Sequence, residues 1–126
     1  MTFAAGELIL ELGRSADCDN ELRSEIARTT GNPLLEDETD EVVDGVIIWW
    51  REGDGDLEDE LVDALRYLSE SGSIWLLTPK AGRSGHVEPS DIQSAAPNVG
   101  LSQTSTISVA QDWSATHLVA RKSVKR

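Results

Sequence analysis

The residues of this sequence with reactive side chains are few: one cysteine, two histidines and a dense run of acids. Cys18 precedes a predicted helix start, where partial positive charge favours a thiolate, but Asp17 and Asp19 flank it and oppose ionisation. It reads as an unreactive thiol. Neither His86 nor His117 has a serine or cysteine at a spacing that suggests a triad, and His117 in "ATHLVAR" reads as a strand residue. The acids of "EGDGDLEDE" offer Asp54 and Asp56 to a calcium loop but lack the glycine and glutamate that an EF-hand needs at later positions. The sequence therefore assigns no catalytic residue, no metal site and no cofactor.

A ligand site is better placed in "WLLTPKAGRSGHVEPSDI", an apolar run followed by a basic, glycine-bearing loop and a helix start. In open α/β sheets ligands bind beyond the carboxyl ends of the parallel strands, where this loop falls. Lys80 and Arg83 supply charge, Gly82 and Gly85 allow exposed backbone N–H groups, and Thr78, His86 and Ser90 complete the candidate set. The spacing of a Walker motif is absent, so the expected guest is a small anion or a partner's carboxylate rather than a nucleotide held by a P-loop. Four tryptophans accompany one Phe and one Tyr. Trp49 and Trp50 must point to opposite faces of a strand, which makes Trp50 a candidate for the crevice, and Trp113, expected in a hairpin turn, a candidate for a contact surface.

The elements that position these residues follow from patterning. "ELILEL" reads as a strand, and "DNELRSEIARTTG" as a helix with Asp19 or Asn20 as N-cap and Gly31 as its stop. "LLEDE" is a stub of strand before an acidic connector. "EVVDGVIIWW" and "SIWLLTP" are apolar, β-branched runs joined by "DLEDELVDALRYLSES", whose Leu57, Leu61, Leu65 and Leu68 form one helical stripe that Gly72 should end. This is a βαβ unit with a parallel pair at the centre of the sheet. A short helix from Pro89 or Ser90 should stop before Pro97, and two strands around a turn near Asp112 to Ala115 should close the sheet as an antiparallel hairpin.

A length of 126 residues fits one domain, expected over 1–121, with 122–126 a basic, frayed tail. The net charge of −12 argues against binding DNA, RNA or an anionic membrane. All of that charge resides between Glu36 and Asp63, where thirteen acids face one base, Arg51. With no long apolar run, no basic, cleavable leader at "MTFAAGELILELG" and a single cysteine, the protein is expected in the cytoplasm.

This order of elements resembles the Rossmann-like fold of S-adenosylmethionine-dependent methyltransferases. "LELG" stands where their first glycine-rich motif begins, Glu36 or Asp37 where their ribose-binding acid falls, and "DEVVDGVII" and "SGSIWLLTP" resemble their fourth and fifth strands. The chain also resembles the small bacterial domain of unknown function family 3052 through "VVDGVIIWW", "WLLTPKAGRSGHVEPSDI" and "QDWSAT". The resemblance implies an α/β, mainly parallel sheet with a C-terminal antiparallel hairpin. Two departures argue against methyl transfer. "LELG" is followed by Arg14, Ser15, Ala16 and Asp17 rather than by glycines, and too few residues separate "LLED" from "EVVDG" for the helix and third strand of a full methyltransferase sheet. The resulting reading is a non-catalytic regulatory or protein-interaction module, with a basic protein and a small anionic ligand as the expected partners. The alternatives are a small S-adenosylmethionine- or nucleotide-dependent enzyme and an acidic mimic of nucleic acid.

Overall fold

The computed structural model describes residues 1–120, and the frayed basic tail expected at 122–126 lies outside the described residues. Five strands form one sheet in the order β1-β2-β3-β5-β4. They are β1 (Ile9–Leu12), β2 (Val43–Trp49), β3 (Leu68–Pro79), β4 (Leu101–Ser108) and β5 (Trp113–Ala120). β1, β2 and β3 run parallel, whereas β5 pairs antiparallel with both β3 and β4. The sheet is therefore mixed, parallel through β3 and antiparallel beyond it. The "LLEDE" stub is a single parallel bridge from Leu35 to Leu10 outside β1.

Helices cover both faces. α1 (Asn20–Thr30) is capped by Asp19, whose carboxylate accepts from the Leu22 amide, and ends at Gly31 in the left-handed conformation. It packs Leu22 and Ile26 over Ile9, Ile47, Trp49 and Trp75. On the opposite face α2 (Leu57–Leu65) and α3 (Pro89–Asn98) bury Leu61, Ala64, Ile92 and Ala95 against Val46, Ile48 and Leu76. The alternation of β2 sends Trp49 to the α1 face and Trp50 to the other, and both are buried.

Three boundaries differ from expectation. α2 ends at Leu65, not before Gly72, and Leu68 begins β3 opposite Val43. Gly72 instead lies within β3, where a Cβ would press on the Leu68 side chain and on the Asp44 carbonyl oxygen at 2.8 Å. Its role is close strand approach at the bulge between Val43 and Gly45. α3 runs through Pro97 to Asn98, with the proline exposed in its last turn. The hairpin turn spans 109–112, closed by the Val109 and Ala110 amides on the Trp113 carbonyl, so Trp113 opens β5 rather than sitting in the turn.

A buried ion pair fixes α1 to the sheet. Glu11, an acid in a strand that is otherwise aliphatic at its buried positions, accepts from Arg23 Nε at 2.6 Å and Nη2 at 2.9 Å, and from Trp49 Nε1 at 2.8 Å. Three donors thus converge on the two oxygens of a buried carboxylate, which offsets the cost of taking it out of water. The same bond holds Arg23 strongly charged by raising its pKa.

Candidate functional site

Past Trp49 the chain leaves the sheet at its carboxyl edge, and Arg51 turns back over it. Arg51 Nη1 donates to the carbonyls of Gly13 at 3.0 Å and Trp49 at 3.1 Å, and to Asp54 at 3.2 Å. Nε and Nη2 reach the Asp17 carboxylate at 2.9 and 2.6 Å. The guanidinium also lies 5.3 Å from the centre of the Trp113 ring. These bonds depress the pKa of Asp17 and raise that of Arg51, so both groups are charged at any ordinary pH.

The glycine of "LELG" serves this junction. Gly13 has φ +77°, and a Cβ there would collide with the Trp49 carbonyl oxygen. The ends of β1 and β2 thus touch backbone to backbone, and the guanidinium of Arg51 bridges them. This is the glycine of the "LELG" that the resemblance sets against the first glycine-rich motif, and on its β2 side the protein's own Arg51 holds the backbone carbonyls.

Trp113, expected to be exposed, is buried at 3% exposure. Its ring meets Trp49 edge to face at 4.8 Å, and Nε1 donates to the Asp17 carbonyl at 3.2 Å. Burial follows from its place at the start of β5, where it faces the α1 side. Cys18, beneath Arg51, is buried too, and burial pushes its thiol pKa upward, in agreement with an unreactive thiol.

Outside this latch lies a cavity of about 570 Å³ between the turn after Trp49 and the loop after Pro79. Of the candidate loop residues, Arg83 and Gly85 line it. Gly85 packs against the Arg51 side chain and its carbonyl accepts from the Glu52 amide, while Arg83 pairs with Asp112 at 3.0 Å across the mouth. Lys80 lies outside the lining and donates its backbone amide to the Asp112 carbonyl. Gly82 is open to solvent, Thr78 is buried in β3, and Ser90 is exposed in the first turn of α3. His86 sets Nδ1 2.9 Å from the Pro79 carbonyl and Nε2 3.6 Å from Glu88, an internal role in the loop. Trp50 borders a separate cleft of about 440 Å³ with Gly53, Gly55 and Val87.

The charge of the main cavity differs from the one its loop alone suggests. Asp17, Glu52, Asp54 and Asp112 outnumber Arg51 and Arg83, and both arginines already have carboxylate partners. A smaller cleft of about 230 Å³ lies on the other side of Gly13, lined by Arg14, Glu36, Asp37, Glu60 and Asp63 among others. There Tyr67 donates to Asp37 at 2.9 Å, which raises the tyrosine pKa, and burial raises that of Glu60. Among the described residues no group of three His, Cys, Asp or Glu side chains is arranged to hold a metal ion.

Arg51 and Asp17 were not singled out from the sequence as site residues. The available signal was that Arg51 is the one base among thirteen acids, directly after "WW". A family model described as a protein of unknown function, DUF3052, matches residues 1–122. The chain belongs to the DUF3052 family. This DUF3052 protein is 49% identical over 117 residues to an uncharacterised protein of Mycobacterium tuberculosis, covering 93% of this chain and 73% of that one. Its fold is similar to that of the glycopeptide N-methyltransferase MtfA solved with S-adenosylmethionine, with a TM-score of 0.61 at 11% identity over 94% of this chain and 83% of that one. A methyltransferase from Aquifex aeolicus that depends on S-adenosylmethionine gives 0.58 at 11% identity, over 91% and 82%. At such identity the DUF3052 chain shares their fold, and the likeness says nothing more. No helix among its described residues is long and apolar enough to cross a membrane.

Proposed function

We propose that this protein is a non-catalytic, cytoplasmic interaction module that receives a basic segment of another protein at the cavity between the Arg51 turn and the loop after Pro79. The observation that carries this reading is Arg51 itself. By bridging Gly13, Trp49, Asp17 and Asp54 it ties the ends of β1 and β2 together with the protein's own groups. What stays open to a partner is a cavity with more carboxylates than guanidiniums, on a chain of net charge −12. Electrostatic attraction to a cation then steers and orients the encounter.

A small anionic ligand is the second reading, favoured by the half-buried Lys80 and by the open backbone at Gly82. Thermal-shift measurements with an oligolysine peptide, inorganic phosphate and S-adenosylmethionine separate the classes, since any ligand of the native state raises the melting temperature. The peptide is expected to stabilise the protein at low salt and lose its effect as salt screens the cavity. Glu52→Gln with Asp112→Asn should weaken that effect, while Glu38→Gln with Asp40→Asn, in the connector before β2, should not. Equal weakening by both pairs would replace a docking cavity with diffuse acidic mimicry. A phosphate shift abolished by Lys80→Ala with Arg83→Ala would establish the anion site, and a shift with S-adenosylmethionine would restore the enzyme reading.

A further inference from the structure

The two edges of the sheet are finished differently. Beyond β1 the segment at Leu35 closes the edge, its amide donating to the Ile9 carbonyl and its carbonyl accepting from the Glu11 amide, both at 2.9 Å. Beyond β4 no described strand follows, and Gln103 to Ser108 are all exposed. Exposed edge strands are commonly protected by lysine, proline or charge, because a row of free N–H and C=O groups templates pairing with another chain. β4, "LSQTSTIS", has none of these, and no Asp, Glu, Lys, Arg or His occurs between Asp91 and Asp112. Its one irregularity is the register shift between Gln103 and Ser105.

We infer that β4 pairs antiparallel with β4 of a second copy, about a two-fold axis, so that two sheets join into one. A two-fold contact sets each patch against itself, so a strand that carries charge would face its own sign. An uncharged strand of Ser, Thr, Gln and Ile meets itself without that cost, and main-chain bonds supply the attraction. The net charge does not prevent approach, because it resides at 36–63, in the turns and connector around β2 and in α2. α3 stands between α2 and this edge, with Asn98 bonded to Glu58 on one side and Leu101 of β4 following on the other. β3 and β5 separate β2 from β4, and three strand spacings come to ~14 Å, beyond the screening length of ~8 Å at physiological salt. Ile107, in the strand itself, is 37% exposed at a groove shared with Met1, Phe3, Leu22 and Glu25, and its side chain adds an apolar contact beside the main-chain bonds. A basic partner gains nothing from this uncharged strand, so the edge and the acidic cavity serve different guests.

Sedimentation of the full chain over a wide concentration range tests the inference. The expected result is a species of twice 13.7 kDa that dissociates on dilution. Ser105→Lys and Ile107→Lys should each raise the dimer dissociation constant by more than about tenfold, as like charges meet across the axis. Val62→Lys, equal in charge and placed at an exposed position of α2, should leave it unchanged. Ser105 is exposed, so its lysine variant should fold even if the Ile107 variant does not, and circular dichroism checks both. A wild-type chain that stays at 13.7 kDa throughout, or a dimer indifferent to Ser105→Lys, would overturn the inference.

Discussion

The Trp49 carbonyl oxygen occupies the space where a Cβ on Gly13 would stand. Gly13 also has φ +77°, a conformation that costs other residues about 1–2 kcal/mol. Collision with backbone rather than with a movable side chain adds an overpacking penalty of about 1–3 kcal/mol. Gly13→Ala should therefore lower the urea midpoint by an amount equivalent to about 2–5 kcal/mol with little change in slope. A variant as stable as wild type would show that the ends of β1 and β2 can part freely.

Arg51→Leu removes the bridge while keeping most of its apolar stem. The carbonyls of Gly13 and Trp49 lose a donor, and Asp17 loses its ion pair, at a cost of about 1.5–3 kcal/mol, the range for hydrogen bonds to charged groups. The variant should also expose Cys18, whose sulfur lies 3.5 Å from Arg51 Nη2. Reaction with an aromatic disulfide, slow in the native wild type, should become faster in the variant under native conditions. If the rates match, α1 packing and not Arg51 shields the thiol.

Trp113 carries a different expectation from that of a surface contact residue. Buried against Trp49 and bonded to Asp17, it should cost about 3–5 kcal/mol when truncated to alanine, and less as phenylalanine, which retains the ring contact. Chemical denaturation measures both. A Trp113→Ala protein of unaltered stability would contradict the packing described above.

The pH dependence of stability should show two windows. Burial, with the N-terminal ammonium nearby, lowers the pKa of His117, whose ring stacks on Trp75 at 4.3 Å. The unfolded chain then binds the proton more readily than the fold, so the contribution is complete above about pH 6.5 and is lost as pH falls through the lower folded value. Asp17 is also depressed, through Arg51, and its smaller, solvent-screened contribution holds above about pH 3.9 and disappears below it. Melting temperatures from neutral to acid pH should decline in these two steps once the opposing gain from Glu60, whose pKa burial raises, is removed in a Glu60→Gln background. His117→Phe, which keeps a stacked ring, should abolish the first and spare the second.

Much of the fold was legible because it rests on local pattern. The runs "VVDGVIIWW" and "SIWLLTP" announce buried parallel strands, and the expected absence of a complete third strand agrees with the isolated bridge at Leu35. Asp19 and Gly31 bracket α1 for reasons internal to that helix. The misplaced residues depend on distant partners. Leu68 fits the helical stripe of Leu61 and Leu65, yet pairing with Val43 draws it into β3, and Gly72 looks like a helix stop until the Asp44 carbonyl is placed beside it. Trp113 is buried by Trp49 and by a carbonyl at Asp17, neither of which its neighbours in sequence reveal. The loop after Pro79 contributes Arg83 and Gly85 to the cavity, but the cavity's sign comes from Asp17, Glu52, Asp54 and Asp112 on three other segments.

β5 is the latest described strand to be synthesised, yet it lies inside the sheet between β3 and β4. The nascent chain can assemble β1, β2 and β3 while β4 waits without a neighbour, and only the arrival of Trp113–Ala120 joins the two parts. Until then the hydrogen-bonding edge of β3 stays open to other chains. A chain released before Trp113 would therefore carry a sticky edge on β3, and chaperones would have to shield it.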